Sequence, residues 1–131
     1  MKDNKFSISK SLKSFAFAIN GLKVLFKEEH NAKIHFVATI MVIIASVLFQ
    51  LNAYEWMAII FCIGTVLSAE IFNTVIENIA DFLTIENNAK IKKIKDLSAA
   101  AVLITSFTAF IMGLIIFLPK IIQQFSKLTL Q

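Results

Sequence analysis

Residues 34–51 form an apolar run of 18 residues that carries His35 near one end and Gln50 near the other, with no acidic residue or lysine between. Only Asn52 and Ala53 separate it from a second apolar stretch, which runs from Trp56 to Ala69. A hydrocarbon core of about 30 Å takes roughly 20 helical residues to cross, and lipid offers no partner for an unpaired backbone amide or carbonyl. Two such runs on so short a connection therefore predict a tight hairpin of membrane-spanning helices. Residues 97–118 supply a third apolar run, which Pro119 is expected to end.

Composition fits this reading. Hydrophobic residues make up 57% of the 131-residue chain, with three glycines and one proline, and the mean hydropathy is +0.74. A soluble domain of this length could not bury that much apolar surface, and little turn chemistry is present. The expected class is an all-α membrane protein in a single domain over residues 1–131, with spans at about 34–51, 54–75 and 97–118. No cleavable leader is expected, because the first apolar run begins after residue 30. The lone Cys62 excludes a disulfide or a cysteine-based zinc site within one chain.

Upstream of the first run, Ile8, Leu12, Phe15, Ile19, Leu22 and Phe26 recur at alternating intervals of four and three. They make one stripe of a helix, with Lys10, Lys13, Lys23 and Lys27 off it. Residues 1–33 thus read as an amphipathic helix lying on the membrane surface. Seven lysines precede Ile34, four lie between Asp81 and Leu97, and two follow Pro119. The positive-inside tendency puts the N-terminus and the second connection in the cytoplasm and the C-terminus outside. The net charge of +4, with no aromatic-basic interleaving, suits anionic lipid or phosphate and not nucleic acid.

The segment EIFNTVIENIAD then places Glu70, Asn73, Glu77 and Asp81 where the second span should be leaving the membrane. At 100° per residue these four share one narrow helical face. Counting inward from Trp56 sets the cytoplasmic boundary near Val75, with Glu70 a few ångströms below it. Glu77 and Asp81 emerge about 10 and 16 Å further along. An ionisable residue inside a span costs at least a few kcal/mol and marks function. Two further polar segments, Phe26–His35 and Lys92–Val102, reach the same level. Carboxylates facing Glu77 could hold a hard divalent cation, Lys95 could neutralise phosphate, and Glu70 could act as a base at hydroxyl depth. Those parts suit phosphorylation of a membrane alcohol. The other chemistry an intramembrane acid suggests is ion or proton conduction, although the remaining spans contain no matching mid-membrane acid. Spacing leaves Glu28 and Glu29 both open as cation ligands. His35 reads as an interfacial hydrogen-bonding residue.

The chain resembles the small prokaryotic integral-membrane lipid kinases, the diacylglycerol and undecaprenol kinase family. Glu70, Asn73, Thr74, Ile76, Glu77 and Asp81 match its pattern E-x-x-N-[ST]-x-[IVL]-E-x-x-x-D, and KDLSAAAV from Lys95 and the upstream Gly21, Leu22 and Glu29 match its flanking features. The resemblance covers roughly residues 10–118. It implies a homotrimeric helical bundle with composite sites, in a bacterial inner membrane, facing the cytoplasm. It also implies magnesium-dependent transfer of the ATP γ-phosphate to a lipid alcohol. Glu70 would be the general base and Asn73 its orienting partner. Glu29 and Glu77 would ligate the metal on the nucleotide. Lys95, Asp96 and Glu86 would contact nucleotide, Lys10 and Phe17 would lie near nucleotide and substrate, and Ala99 would lie on the lipid side. The sequence departs from the diacylglycerol branch, which tends to carry arginine at position 10, tyrosine at 17 and serine at 99. Val75 also replaces a small residue. These departures bear on which lipid is used, diacylglycerol or undecaprenol.

Overall fold

The computed structural model describes residues 8–83 and 88–129, with the side chains of residues 8–11 and 128 outside the description. Four helices follow in order: α1 (Ile8–Glu28), α2 (His30–Leu48), α3 (Ala53–Leu83) and α4 (Ala89–Thr129). Three of them, α2, α3 and α4, are long and apolar enough to cross a membrane. The chain is a multi-pass, all-α membrane protein.

α1 and α2 are separated by a single residue. Glu29 adopts an extended conformation, φ −100° and ψ 121°, and turns the chain between the two helices. Residues 30–33 therefore open the first spanning helix and do not extend the amphipathic one. Leu25 and Ala32 are buried at this elbow, and the Phe26 and Phe36 rings pack with centroids 4.8 Å apart. Further back on α1 the apolar stripe is uncovered: Leu12, Phe15, Ile19 and Leu22 are all exposed.

The hairpin between α2 and α3 closes as the two-residue connection requires. Gln50 donates its backbone N–H to the carbonyl of Val47, and Leu51 donates to that of Ser46. This Schellman pattern puts Gln50 in the left-handed region at φ 49°. Asn52 then caps α3: its Oδ1 accepts the N–H of Glu55, while Glu55 Oε2 accepts the N–H of Asn52. Leu51, Ile59 and Ile116 form a small core beside the turn, with Phe49 and Phe117 edge-on at 5.9 Å. Lys120 pairs with Glu55 at 3.0 Å and ties α4 to the start of α3.

α4 does not stop at Pro119 but continues to Thr129. Proline removes one N–H and frees one carbonyl a turn back. That loss falls near the C-terminal end of the apolar run, where the Lys120–Glu55 pair still anchors the following turn. Inside the spans, several hydroxyls bond back to their own helices, as Thr39 does to His35, Ser46 to Val42 and Thr108 to Ile104. This satisfies them where water is absent. α3 and α4 pack along their length and α2 leans on α3. In the apolar windows 33% of residues are buried on α3, but 11% on α2 and 6% on α4. The outer flanks of the bundle thus require lipid or another protein surface.

Candidate active site

Helical geometry turns the carboxylate stripe of α3 into a gradient. Glu70 is 2% exposed and Asn73 is buried beside it. Glu77 is half-buried, and Asp81 reaches the surface. The four residues are spaced by three and four, so each turn of α3 sets one polar group above the last.

Glu70 Oε1 lies 3.1 Å from His35 Nε2 on α2, off the line of a well-formed hydrogen bond. The charges of Glu29, at the α1–α2 elbow, and of Glu77 also bear on Glu70. Above it, Asn73 Nδ2 donates to Glu77 Oε1 at 3.0 Å. Ser98 Oγ, on α4, donates to Asn73 Oδ1 at 2.7 Å and sits 2.9 Å from the Lys95 carbonyl. The chain Ser98–Asn73–Glu77 fixes the amide in one orientation and leaves Glu77 its second oxygen.

At the water end Lys95 is paired with Asp81 across α3 and α4. The hydrogen bond that Lys95 donates to Asp81, together with the Asp81 charge, pushes the Lys95 ammonium up from its ordinary value, so it stays charged. Asp96 is exposed and pairs with Lys92 one turn back.

Other residues named from sequence lie apart. Phe17 is 73% exposed on α1 and Ala99 is exposed on α4. Neither is drawn to Glu70 within one chain. The side chain of Lys10 and the whole of Glu86 lie outside the described residues. Ser98 and His35 carry more of the site than their sequence positions suggested. Ser98 was legible only as a small residue after the Lys95-Asp96 pair, and His35 only as a polar residue at a span end.

Among the described residues no group of three or more His, Cys, Asp or Glu side chains is gathered as a ready metal cage. Glu29, half-buried at the elbow, and Glu77, on α3, carry hard carboxylate oxygens, the ligand type that magnesium takes. Such an ion takes one or two carboxylates and completes its octahedron with phosphate and water.

Two grooves border this region. One of about 660 Å³ lies between α3 and α4 and is lined by Asn73 and Ser98 at its polar end. The other, about 450 Å³, lies among α2, α3 and α4 and runs from His35 to Leu118 and Ile121. Its α4 wall extends from Ser106 to Ile121, about 22 Å at the helical rise.

The sequence profile described as prokaryotic diacylglycerol kinase matches residues 16–117. The chain is 36% identical over 120 residues to a Bacillus subtilis (strain 168) protein named undecaprenol kinase, covering 92% of this chain and 98% of that one. It is 30% identical over 113 residues to a Synechocystis protein named diacylglycerol kinase, covering 86% of this chain and 65% of that one.

Proposed function

This chain belongs to the prokaryotic diacylglycerol kinase family and is a lipid kinase of that type, and we propose that it phosphorylates a long-chain prenol, undecaprenol, with magnesium-bound ATP. The observation that carries the reading is the depth-graded stack Glu70–Asn73–Glu77, buried at one end and wet at the other. Such a stack suits a reaction between a hydroxyl held in lipid and a phosphate held in water.

In this mechanism Glu70 takes the proton of the acceptor hydroxyl as its oxygen forms a bond to the γ-phosphorus. The bond from that phosphorus to the bridging oxygen breaks, and ADP leaves. Asn73 holds Glu77 through its amide, and Ser98 holds Asn73. Glu29 and the free oxygen of Glu77 would hold the magnesium ion, which when bound neutralises the charge of the triphosphate. Lys95 adds positive charge at the water end, released from Asp81 toward phosphate. Asp96 contacts the sugar, and Lys10, Phe17 and Glu86 complete the nucleotide side. The exposed stripe of α1 lies on the cytoplasmic membrane surface. The uncovered flanks of α2 and α4 pack in a homotrimer of the bacterial inner membrane.

Two observations support the prenol over diacylglycerol. The match to the protein named undecaprenol kinase runs nearly end to end in both chains. The groove beside His35 is also long enough to pass the bilayer midplane. A single long chain follows such a groove better than a pair of acyl chains confined to one leaflet. Ala99 borders the lipid side.

The test is a side-by-side assay. Purified protein in mixed micelles receives labelled ATP, magnesium and either undecaprenol or diacylglycerol. Transfer to undecaprenol at the higher kcat/KM is expected. Preference for diacylglycerol overturns the acceptor, and transfer to neither lipid from folded protein overturns the kinase reading.

A further inference from the structure

Glu70 is the most deeply buried ionisable group among the described residues, at 2% exposure. Its Oε1 accepts no well-formed hydrogen bond. A buried carboxylate without a donor is costly and free to rotate, and a base that rotates loses its aim. One polar side chain stands against it: His35, whose Nε2 is 3.1 Å from Oε1.

His35 differs from Glu70 in what else it touches. Its side chain is 23% exposed, and it lines the polar end of the groove among α2, α3 and α4, whereas Glu70 does not line it. The imidazole therefore touches both the carboxylate and the space an acceptor chain would fill. It also comes from a different helix. The pair joins α2 to α3 at the level where the chemistry takes place, and α2 otherwise only leans on α3. The remaining charges that bear on Glu70, those of Glu29 and Glu77, are both negative. Of the three side chains whose charges bear on Glu70, His35 is the one that carries a hydrogen-bond donor.

We infer that His35 is a positioning residue for the kinase reaction: its Nε2–H donates to Glu70 Oε1 and holds the other carboxylate oxygen toward the acceptor hydroxyl. A small rotation of His35 or Glu70 brings the 3.1 Å contact into line. Catalytic hydrogen bonds tighten in this way once substrate is bound. This inference rests on Glu70 being the base and adds the group that aims it.

The experiment compares His35→Leu and His35→Gln in the full chain, reconstituted in mixed micelles with magnesium, ATP and undecaprenol. Wild-type protein and Glu70→Gln serve as controls, and gel filtration and thermal unfolding monitor folding. Loss of aim by about 1 Å costs roughly a hundredfold. His35→Leu is therefore expected to lower kcat roughly 10- to 100-fold while leaving both KM values within about twofold. His35→Gln keeps an N–H donor and is expected to recover most of the rate. Wild-type kcat in a folded His35→Leu protein overturns the inference. So does a Gln variant no better than Leu, or a loss that appears in KM alone. Failure of the reading beneath it looks different: Glu70→Gln would then retain full activity.

Discussion

Ser98 Oγ on α4 donates a 2.7 Å hydrogen bond to Asn73 Oδ1 on α3, inside a buried interface. Because the amide oxygen is committed to Ser98, the amide nitrogen must face Glu77, as it does at 3.0 Å. One serine hydroxyl therefore sets the orientation of a carboxylate two helical turns above the buried Glu70. Ser98→Ala leaves Asn73 Oδ1 buried without that partner, a cost of about 1–3 kcal/mol. Thermal unfolding in detergent should show the loss, and kcat should fall with it. Ser98→Thr, which keeps the hydroxyl, should recover much of both.

Glu70→Gln is close to isosteric and removes the carboxylate proposed as proton acceptor. Transfer to lipid should fall by roughly 100- to 10,000-fold, with ATP affinity changed little. Labelled-phosphate transfer and a nucleotide-binding titration on the same preparation separate the two effects.

Glu29, at the elbow between α1 and α2, and Glu77, on α3, are the hard oxygen ligands proposed for magnesium. Chelation of magnesium should abolish transfer, and added magnesium should restore it. Glu77→Gln should raise the magnesium concentration that gives half-maximal rate. Glu29→Gln should do the same, and Glu28→Gln should leave it unchanged.

Lys95 and Asp81 are both solvent-accessible, so their ion pair is screened by water and salt. Asp81→Asn should barely move the unfolding midpoint. Lys95→Met should raise the KM for ATP about tenfold or more by removing the proposed phosphate contact. A midpoint that drops sharply in Asp81→Asn would show that the pair is structural.

Gln50 occupies the left-handed region at φ 49° without being glycine. Glycine takes that conformation without a Cβ penalty. Gln50→Gly should stabilise the hairpin by roughly 1 kcal/mol or less, read as a raised unfolding midpoint with unchanged activity.

Much of this was legible along the chain. The three apolar runs give three helices because hydrocarbon admits only internally bonded backbone. The stripe Glu70–Asn73–Glu77–Asp81 follows from helical periodicity alone, and its burial gradient follows from where Trp56 sets the frame. Pro119 was less legible. The rule that proline ends a helix holds for an unsupported interior, and here the Lys120–Glu55 contact carries the chain past it. The elbow at Glu29 carries no proline or glycine to announce it and depends on Leu25 and Ala32 packing across it.

Apolar runs and helical spacing were enough to make the chain helical and membrane-spanning, with acids toward the C-terminal end of α3. Those facts depend on local periodicity and on the solvent, lipid or water, at each depth. What each acid meets depends on the packing of the helices. His35 reaches Glu70 from α2, Ser98 reaches Asn73 from α4, and Lys95 reaches Asp81 across the same pair of helices. Those partners lie 14 to 35 positions apart, and which of them touch depends on how α2, α3 and α4 are rotated against one another. No spacing within a single helix encodes that rotation, because it is set by packing summed over the whole length of the bundle.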